Sequence, residues 1–347
     1  MTFIRPPKLQ PGDTIATLSP SWGGPSLFPH IYDHGVKMLQ ETFGLRIKEY
    51  PTAKMDAQAL YLNPQARAAD INAAFADPEV KAIITSIGGE DSVRILPYLE
   101  GETIRNNPKI IMGYSDTSTL LTYANQLGLV TFNGPSIMAG FCQLAQWPAA
   151  FVAHIRAMLF EGPASYTYQP YDFWSERYPE WADPANTGQI GPTYPNEERW
   201  QWLQGEGVAE GHLFGGCTEV LEFMKGTAFW PAPDFWQGKI LFFETSEDKP
   251  APIQVKWMLR NYGMQGIFER VNGLLFGRAR DYSPQEKQEL YDHLRTVVAT
   301  EFGRPSLPII TNMDFGHTDP QFIMPLGVQA EIDCGQRTVR LLEGAVQ

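Results

Sequence analysis

The feature that most constrains the fold is a regular alternation of apolar runs with segments of helical periodicity. In the first half of the chain, the predicted elements are TIATLS (14–19), a helix near 32–43, LRIKEY (45–50), a helix near 65–76, VKAIITSIGG (80–89), KIIMG (109–113) and a further helix. Such alternation favours a parallel sheet with helices on both faces. We therefore predict an α/β fold that begins with an N-terminal parallel-sheet α/β domain over residues 1–162.

The second half of the chain resumes the alternation. Its predicted elements are GHLFGG (211–216), a helix near 217–225, KILFFE (239–244), a helix near 252–261, GLLFG (273–277), a helix near 284–298, LPIIT (307–311), and strands near 325–332 and 338–343. This order indicates a C-terminal mixed α/β domain over residues 208–347. Two domains also agree with a length of 347 residues, which is more than one hydrophobic core usually serves.

Between the two domains, residues 163–207 break the pattern. The segment includes YDFWSERYPEW and YPNEERWQW and has no sustained strand or helix periodicity. Loops of this length in compact domains are usually functional or disordered, and the aromatic content argues against disorder. We predict an aromatic-rich linker that contributes to substrate binding.

Composition argues against several classes of function. The net charge is −12 and no Lys/Arg cluster is present, so we expect no nucleic-acid partner. Cys142, Cys217 and Cys334 are far apart and lack CxxC spacing, which suggests neither a disulfide framework nor a zinc site. The start of the chain does not read as a signal peptide, and no run approaches the roughly 20 apolar residues that span a bilayer. We expect a cytoplasmic protein without a membrane partner.

A serine follows the strand KIIMG almost directly. The segment YSDT (114–117) lies between that strand and an apolar helix, which is the strand, turn and helix arrangement of a nucleophile elbow. Ser115 would then lie at the positive end of a helix, and Gly113 suits the tight turn. The match to G-x-S-x-G is incomplete because Ser118 replaces the second glycine. On this segment alone, Ser115 could equally cap the helix.

A serine nucleophile needs a base and an acid that orients the base. Of the six histidines, His317 has the most suggestive setting, because it lies in the polar turn NMDFGHTDP directly after the strand LPIIT. Viewed alone, it could also be a solvated loop histidine. Glu244 ends the strand KILFFE, although it could instead pair with a structural arginine such as Arg260 or Arg278.

Catalysis by a serine also needs donors for the oxyanion. The backbone N–H of Asp116 follows the candidate nucleophile, and a second donor could come from Gly89 in the turn SIGGED. Gly88 and Gly89 could equally form only a tight turn.

Several separated motifs, in this order, resemble one family over nearly the whole chain: LQPGDTIATLSPS, SIGGEDSVRILPYL, IMGYSDTSTLL, GHLFGG, FFETSED and DFGHTDPQFIMPLGV. The chain resembles the serine LD-carboxypeptidases, and most closely their microcin C immunity (MccF-like) branch. The resemblance implies that Ser115 is the nucleophile, His317 the general base, Glu244 its orienting partner, and Gly89 with Asp116 the oxyanion hole. It also implies a homodimer that works without a metal or cofactor.

By the same resemblance, the expected reaction cleaves the bond between a carboxy-terminal aminoacyl group and a nucleotide-like leaving group. The enzymatic alternative is L,D-carboxypeptidase action on murein tetrapeptide. A catalytically silent receptor for muropeptides or nucleotides is a third possibility, but binding alone does not require an intact Ser, Glu and His.

The branch choice depends on residues 163–207, where the MccF-like branch has a tryptophan that stacks on a nucleobase. Alignment of SERYPEW with that loop assigns the role to Trp181, with Trp174 as the alternative, although either could merely pack the loop or a dimer contact. The chain departs from the family twice. Cys217 replaces a usual Asn, and Asp248, next to Lys249, replaces a usual Lys, and both positions are expected to contact substrate.

Overall fold

A computed structural model describes residues 2–347 and contains two large β-sheets. The first sheet has six strands, and its central strands are almost entirely buried because most of their residues are Ile, Val, Leu, Ala or Met. Five of the strands run parallel, and the edge strand from the C-terminal part of the chain is antiparallel. In spatial order the strands are Met324–Leu326, Thr131–Asn133, Ile110–Gly113, Val80–Thr85, Thr14–Leu18 and Arg46–Glu49.

The second sheet is mixed and has eight strands. Its centre is formed by the ten-residue strand Val208–Cys217 and three parallel neighbours that are apolar over most of their length. In spatial order the strands are Tyr166–Thr167, Thr338–Leu341, Gln329–Asp333, Val208–Cys217, Lys239–Glu244, Gly273–Gly277, Ile309–Met313 and Gln201–Gln204. The predicted α/β fold, with a parallel sheet first and a mixed sheet second, is confirmed.

Helices connect the parallel strands, as the alternation predicts. Several have local signals at their ends: Gly44 closes one helix in the left-handed conformation, and Ser283 forms a capping box with Glu286. No helix among residues 2–347 has the length and hydropathy needed to cross a membrane. The α-helices are Gly24–Leu27, Pro29–Phe43, Ala57–Leu62, Pro64–Ala76, Gly101–Asn106, Ser118–Gln126, Ala149–Arg156, Thr218–Met224, Pro252–Met264 and Pro284–Arg295.

The segment 163–207 contains more regular structure than its sequence pattern suggests. Tyr166–Thr167 and Gln201–Gln204 form the two edges of the second sheet. Phe173–Ser175 pairs with Thr193–Pro195 in a separate two-stranded sheet. The segment therefore wraps around the second sheet rather than only connecting the two halves. The division at residues 162 and 207 remains a prediction.

Candidate active site

Ser115 occupies a strained turn between a strand and a helix. Ile110–Gly113 is fully buried, and after Tyr114 the chain turns through Ser115 with φ of 58° before the helix Ser118–Gln126. A left-handed conformation is uncommon for a residue other than glycine, and such strain is concentrated at functional sites. Gly113 is required by packing, because a Cβ there would lie 2.3 Å from Oγ1 of Thr85. The elbow expected from sequence is therefore present.

The glycine pair of SIGGED packs directly on this elbow. A Cβ on Gly88 would lie 2.8 Å from Cβ and 3.0 Å from Oγ of Ser115. Gly89 has φ of 149°, and a Cβ there would lie 2.2 Å from Oγ of Ser21. The backbone thus approaches Ser115 at Gly88 and Ser21 at Gly89 only because both glycines lack side chains. The amide of Asp116 lies in the first turn after the strand, where N–H groups lack acceptors within the helix.

His317 and Glu244 form a buried hydrogen-bonded pair. Nδ1 of His317 lies 2.6 Å from Oε2 of Glu244, and the Glu244 side chain is fully buried at the end of the strand Lys239–Glu244. Gly316 permits this approach, since a Cβ there would lie 2.8 Å from the same carboxylate oxygen. Neither arginine proposed as an alternative partner binds Glu244: Arg260 pairs with Glu301, and Arg278 pairs with Asp314.

Opposing effects act on the two groups of this pair. Burial disfavours a charged imidazole, but Glu244 and a second carboxylate, Glu247, outweigh burial and raise the pKa of His317 to about 10. Burial also raises the pKa of the Glu244 carboxyl, and the neighbouring His317 limits that rise. A His–carboxylate pair of this kind holds the imidazole in one orientation and stabilises its protonated form.

Ser115 and His317 line the same cavity, whose volume is about 540 Å³. This volume is in the usual range for small-molecule sites. Of the residues that the sequence singled out, the cavity is lined by Ser115, His317, Gly89, Trp181 and Asp248. Its remaining lining includes Ser21 and Tyr114, which follow the ends of two parallel strands. It also includes residues that sequence reasoning missed: Trp22, Tyr61, Tyr178, Glu247 and Arg280.

The two candidate tryptophans differ in position. Trp181 faces the cavity and packs on Phe28 and Tyr178, with ring centroids 5.8 Å away in both cases. Trp174 lies outside the cavity, where its ring packs on Tyr194 at 5.0 Å and beneath the Arg278 guanidinium at 4.8 Å. In this structure Trp174 packs within its segment, which was the alternative considered for both tryptophans. Trp181 is the better placed of the two to contact a ligand.

Cys217 and Asp248, the two positions at which the chain departs from the family, also differ in whether they line the cavity. Asp248 lines the cavity, whereas Cys217 is fully buried outside it. The Cys217 amide donates to Oγ of Ser118 at 3.1 Å, and burial raises the pKa of its thiol well above the ordinary value. This position corrects the expectation that Cys217 contacts substrate, because packing at the strand end turns its side chain into the interior. Lys249 turns away from the cavity and pairs with Glu286 at 3.0 Å.

Glu247 is the most informative residue that the sequence did not single out. Its Oε2 lies 3.0 Å from Nε2 of His317, so each imidazole nitrogen has a carboxylate beside it. The residue is part of the turn TSEDK, but an acidic residue in a polar turn usually faces solvent, and nothing in the pattern separates it from its neighbours. Among residues 2–347, no group of three or more His, Cys, Asp or Glu side chains is arranged to hold a metal ion.

Comparison with known proteins identifies the family. Residues 15–134 match the LD-carboxypeptidase N-terminal domain, and residues 210–332 match the LD-carboxypeptidase C-terminal domain. The chain is 30% identical to a Vibrio cholerae protein that carries a provisional carboxypeptidase name, over 95% of both chains. It is 28% identical to the Escherichia coli microcin C7 self-immunity protein MccF, over 96% of this chain and 94% of that protein. It is also 28% identical to a Bacillus subtilis protein provisionally named a murein peptide carboxypeptidase, over 98% and 95%.

Solved structures agree with these sequence matches. An MccF-like protein from Streptococcus pneumoniae in complex with AMP superimposes with a TM-score of 0.84 at 30% identity, covering 95% of this chain and 98% of that chain. MccF in complex with glutamyl sulfamoyl guanosine superimposes with a TM-score of 0.82 at 25% identity, covering 99% of both chains.

Proposed function

The chain belongs to the LD-carboxypeptidase family, and from this premise we propose that it is a serine hydrolase that cleaves the bond between an aminoacyl group and a nucleotide-like leaving group. The observation that carries the proposal is the shared cavity: Ser115 in its strained turn and His317 held by Glu244 face the same space as Trp181. A serine that merely caps a helix would need neither the histidine nor its buried carboxylate.

The proposed mechanism follows from these positions. Nδ1–H of His317 donates to Glu244, which leaves Nε2 to accept the proton of the Ser115 hydroxyl. The serine oxygen attacks the carbonyl carbon, and the amides of Gly89 and Asp116 stabilise the oxyanion. His317 then protonates the leaving group as the carbonyl re-forms, which produces an acyl-enzyme on Ser115. A water molecule, deprotonated by the same histidine, releases the amino acid.

Aromatic walls favour a nucleotide on the leaving-group side. Trp22, Tyr178 and Trp181 line the cavity with their rings, and aromatic faces bind nucleobases through stacking. The solved relatives support this substrate class, because one is a complex with AMP and another a complex with an aminoacyl-nucleotide analogue.

The second candidate function is hydrolysis of murein tetrapeptide, which the Bacillus subtilis relative favours by its name. The decisive experiment is to assay murein tetrapeptide and an aminoacyl sulfamoyl adenosine side by side with the same enzyme preparation. We expect cleavage of the nucleotide substrate. Turnover of the tetrapeptide alone would overturn the choice of substrate, and binding without turnover of either would favour the receptor function instead.

Trp181 offers a direct test of the nucleotide side of the site. Stacking on a base contributes about 1–3 kcal/mol, so we expect Trp181→Ala to raise KM for the nucleotide substrate by about 5- to 150-fold. The kcat value should change much less, because the ring is not among the proposed catalytic groups. Trp174→Ala is the matched control, since that tryptophan belongs to the same segment but lies outside the cavity. Equal effects of the two substitutions would contradict stacking on Trp181.

The assembly state is a further prediction. By family resemblance we propose that the protein forms a homodimer in the cytoplasm. Sedimentation equilibrium should give twice the 39.0 kDa mass of one chain. A concentration-independent mass of one chain would contradict the dimer.

A further inference from the structure

Most of the uncompensated charge that lines the cavity is negative. Glu90, Asp91, Glu247 and Asp248 contribute carboxylates, and Arg280 is the single lysine or arginine among the lining residues that the structure describes. Asp91 is neutralised by Arg67 and Arg94, each at 2.7 Å. Arg280 in turn lies 3.6 Å from Asp281. Glu247 is paired with His317, whereas Glu90 and Asp248 form no salt bridge among residues 2–347. These two carboxylates leave the cavity with negative charge, which favours a ligand that brings a positive charge.

Of the four carboxylates that line the cavity, Glu247 is the one that pairs with His317. Its carboxylate is 3.0 Å from Nε2 of His317, and the side chain is 56% exposed, so it can reorient toward the cavity without disturbing the core. The contact is an ion pair rather than an aligned hydrogen bond, because Nε2 has no hydrogen-bond partner among the described residues. Chiefly because of His317, the pKa of Glu247 falls to about 2, which keeps the carboxylate charged.

This contact competes with catalysis. Nδ1 of His317 is occupied by Glu244, so Nε2 is the nitrogen that must accept the serine proton. A carboxylate beside Nε2 favours the protonated imidazole, which cannot act as a base. A substrate that supplies another cation to Glu247 would relieve this effect.

The nearest cation that a substrate could supply is the α-ammonium of its acyl residue. The α-nitrogen of an amino acid lies roughly 2.5 Å from its carbonyl carbon, which is the atom that the serine attacks. A cation at that position lies within reach of a carboxylate that already contacts the catalytic base. A peptide whose α-nitrogen is acylated has no charge there.

Resting on the proposed function, we propose that Glu247 binds the free α-ammonium group of the acyl residue and that this contact releases Nε2 of His317 to act on Ser115. The site thereby selects single unblocked aminoacyl groups over the acylated residues of longer peptides.

Two substrates with the same leaving group test the proposal: an aminoacyl sulfamoyl adenosine with a free α-amine, and its N-acetyl derivative. With the wild-type enzyme we expect acetylation to lower kcat/KM at least tenfold. Glu247→Gln should remove most of this preference for two reasons. The free amine loses its carboxylate partner, which lowers its kcat/KM, and the N-acetyl substrate meets a base that Glu247 no longer holds protonated, which raises its kcat/KM. Glu247→Asp should restore part of it, because it keeps the charge.

Asp248→Asn is the matched control, since it removes the same charge from the next residue of the same turn. It should change kcat/KM for both substrates together and leave their ratio near that of the wild type. Equal cleavage of the two substrates by the wild type, or an unchanged ratio in Glu247→Gln, overturns the inference while nucleotide cleavage stands. Cleavage of neither substrate by the wild type removes the proposed function and the inference with it. Thermal melting of each variant excludes unfolding as the cause.

Discussion

Replacing Ser115 by alanine is expected to lower kcat for the nucleotide substrate by about 10⁶-fold, to the residual rate that binding and the oxyanion donors provide. Serine nucleophiles of hydrolytic triads have effects of this size because no acyl-enzyme forms without them. Steady-state kinetics checks the rate, and titration calorimetry should show that the variant binds the uncleaved substrate about as tightly as the wild type does.

Ser115→Ala is a clean test because it changes little else. Alanine keeps the Cβ that packs against Gly88, and φ of 58° is as strained for alanine as for serine. We therefore expect melting temperatures of the two proteins to agree closely. A fluorophosphonate probe should modify the wild type at Ser115 and leave the variant unmodified. Unchanged turnover by a folded variant would remove Ser115 as the nucleophile.

The buried parallel strands and the elbow were accessible from sequence because they depend on local pattern. Fully buried parallel strands consist of contiguous apolar residues, so VKAIIT and KILFFE are identifiable without a structure. The turn after KIIMG is likewise identifiable from sequence, because a glycine and a serine precede a predicted helix. The edge strands Tyr166–Thr167 and Gln201–Gln204 were missed because they are short and only partly buried, so that neither has a clear apolar period.

The lining of the cavity was only partly predictable, since side-chain direction depends on tertiary packing. Cys217 and Glu244 both end parallel strands and are adjacent in register, yet the thiol is buried beside the Glu219 carboxylate whereas the Glu244 carboxylate reaches His317. Glu247 and Asp248 are neighbours in one polar turn, and only the fold brings the first of them to the imidazole. A resemblance supplied the pairing of Glu244 with His317, because 73 residues separate them in the chain.

Replacing Glu244 by glutamine is expected to cause the second-largest loss, with kcat/KM about 10⁴-fold lower at neutral pH. An amide cannot stabilise the imidazolium that forms as Ser115 loses its proton. The amide NH₂ can also donate to Nδ1, which favours the tautomer whose Nε2 already carries a proton. Because Glu244 is fully buried, the substitution also exchanges a paired charge for an amide in the interior, so the melting temperature must be measured beside the rate.

The pH profile separates a catalytic role of Glu244 from a purely structural one. His317 acts as a base only when it is unprotonated, so activity rises with pH through its pKa, which Glu244 and Glu247 hold at about 10 in the ligand-free protein. Asp319 and Arg280 also lie near His317 and its carboxylate partners, and both residues are unchanged in Glu244→Gln. Removal of the Glu244 charge lowers the pKa of His317, so the acid limb of kcat/KM should move to lower pH even as the plateau falls. Loss of activity with the acid limb unmoved would mean that Glu244 supports the fold without setting the charge of the base.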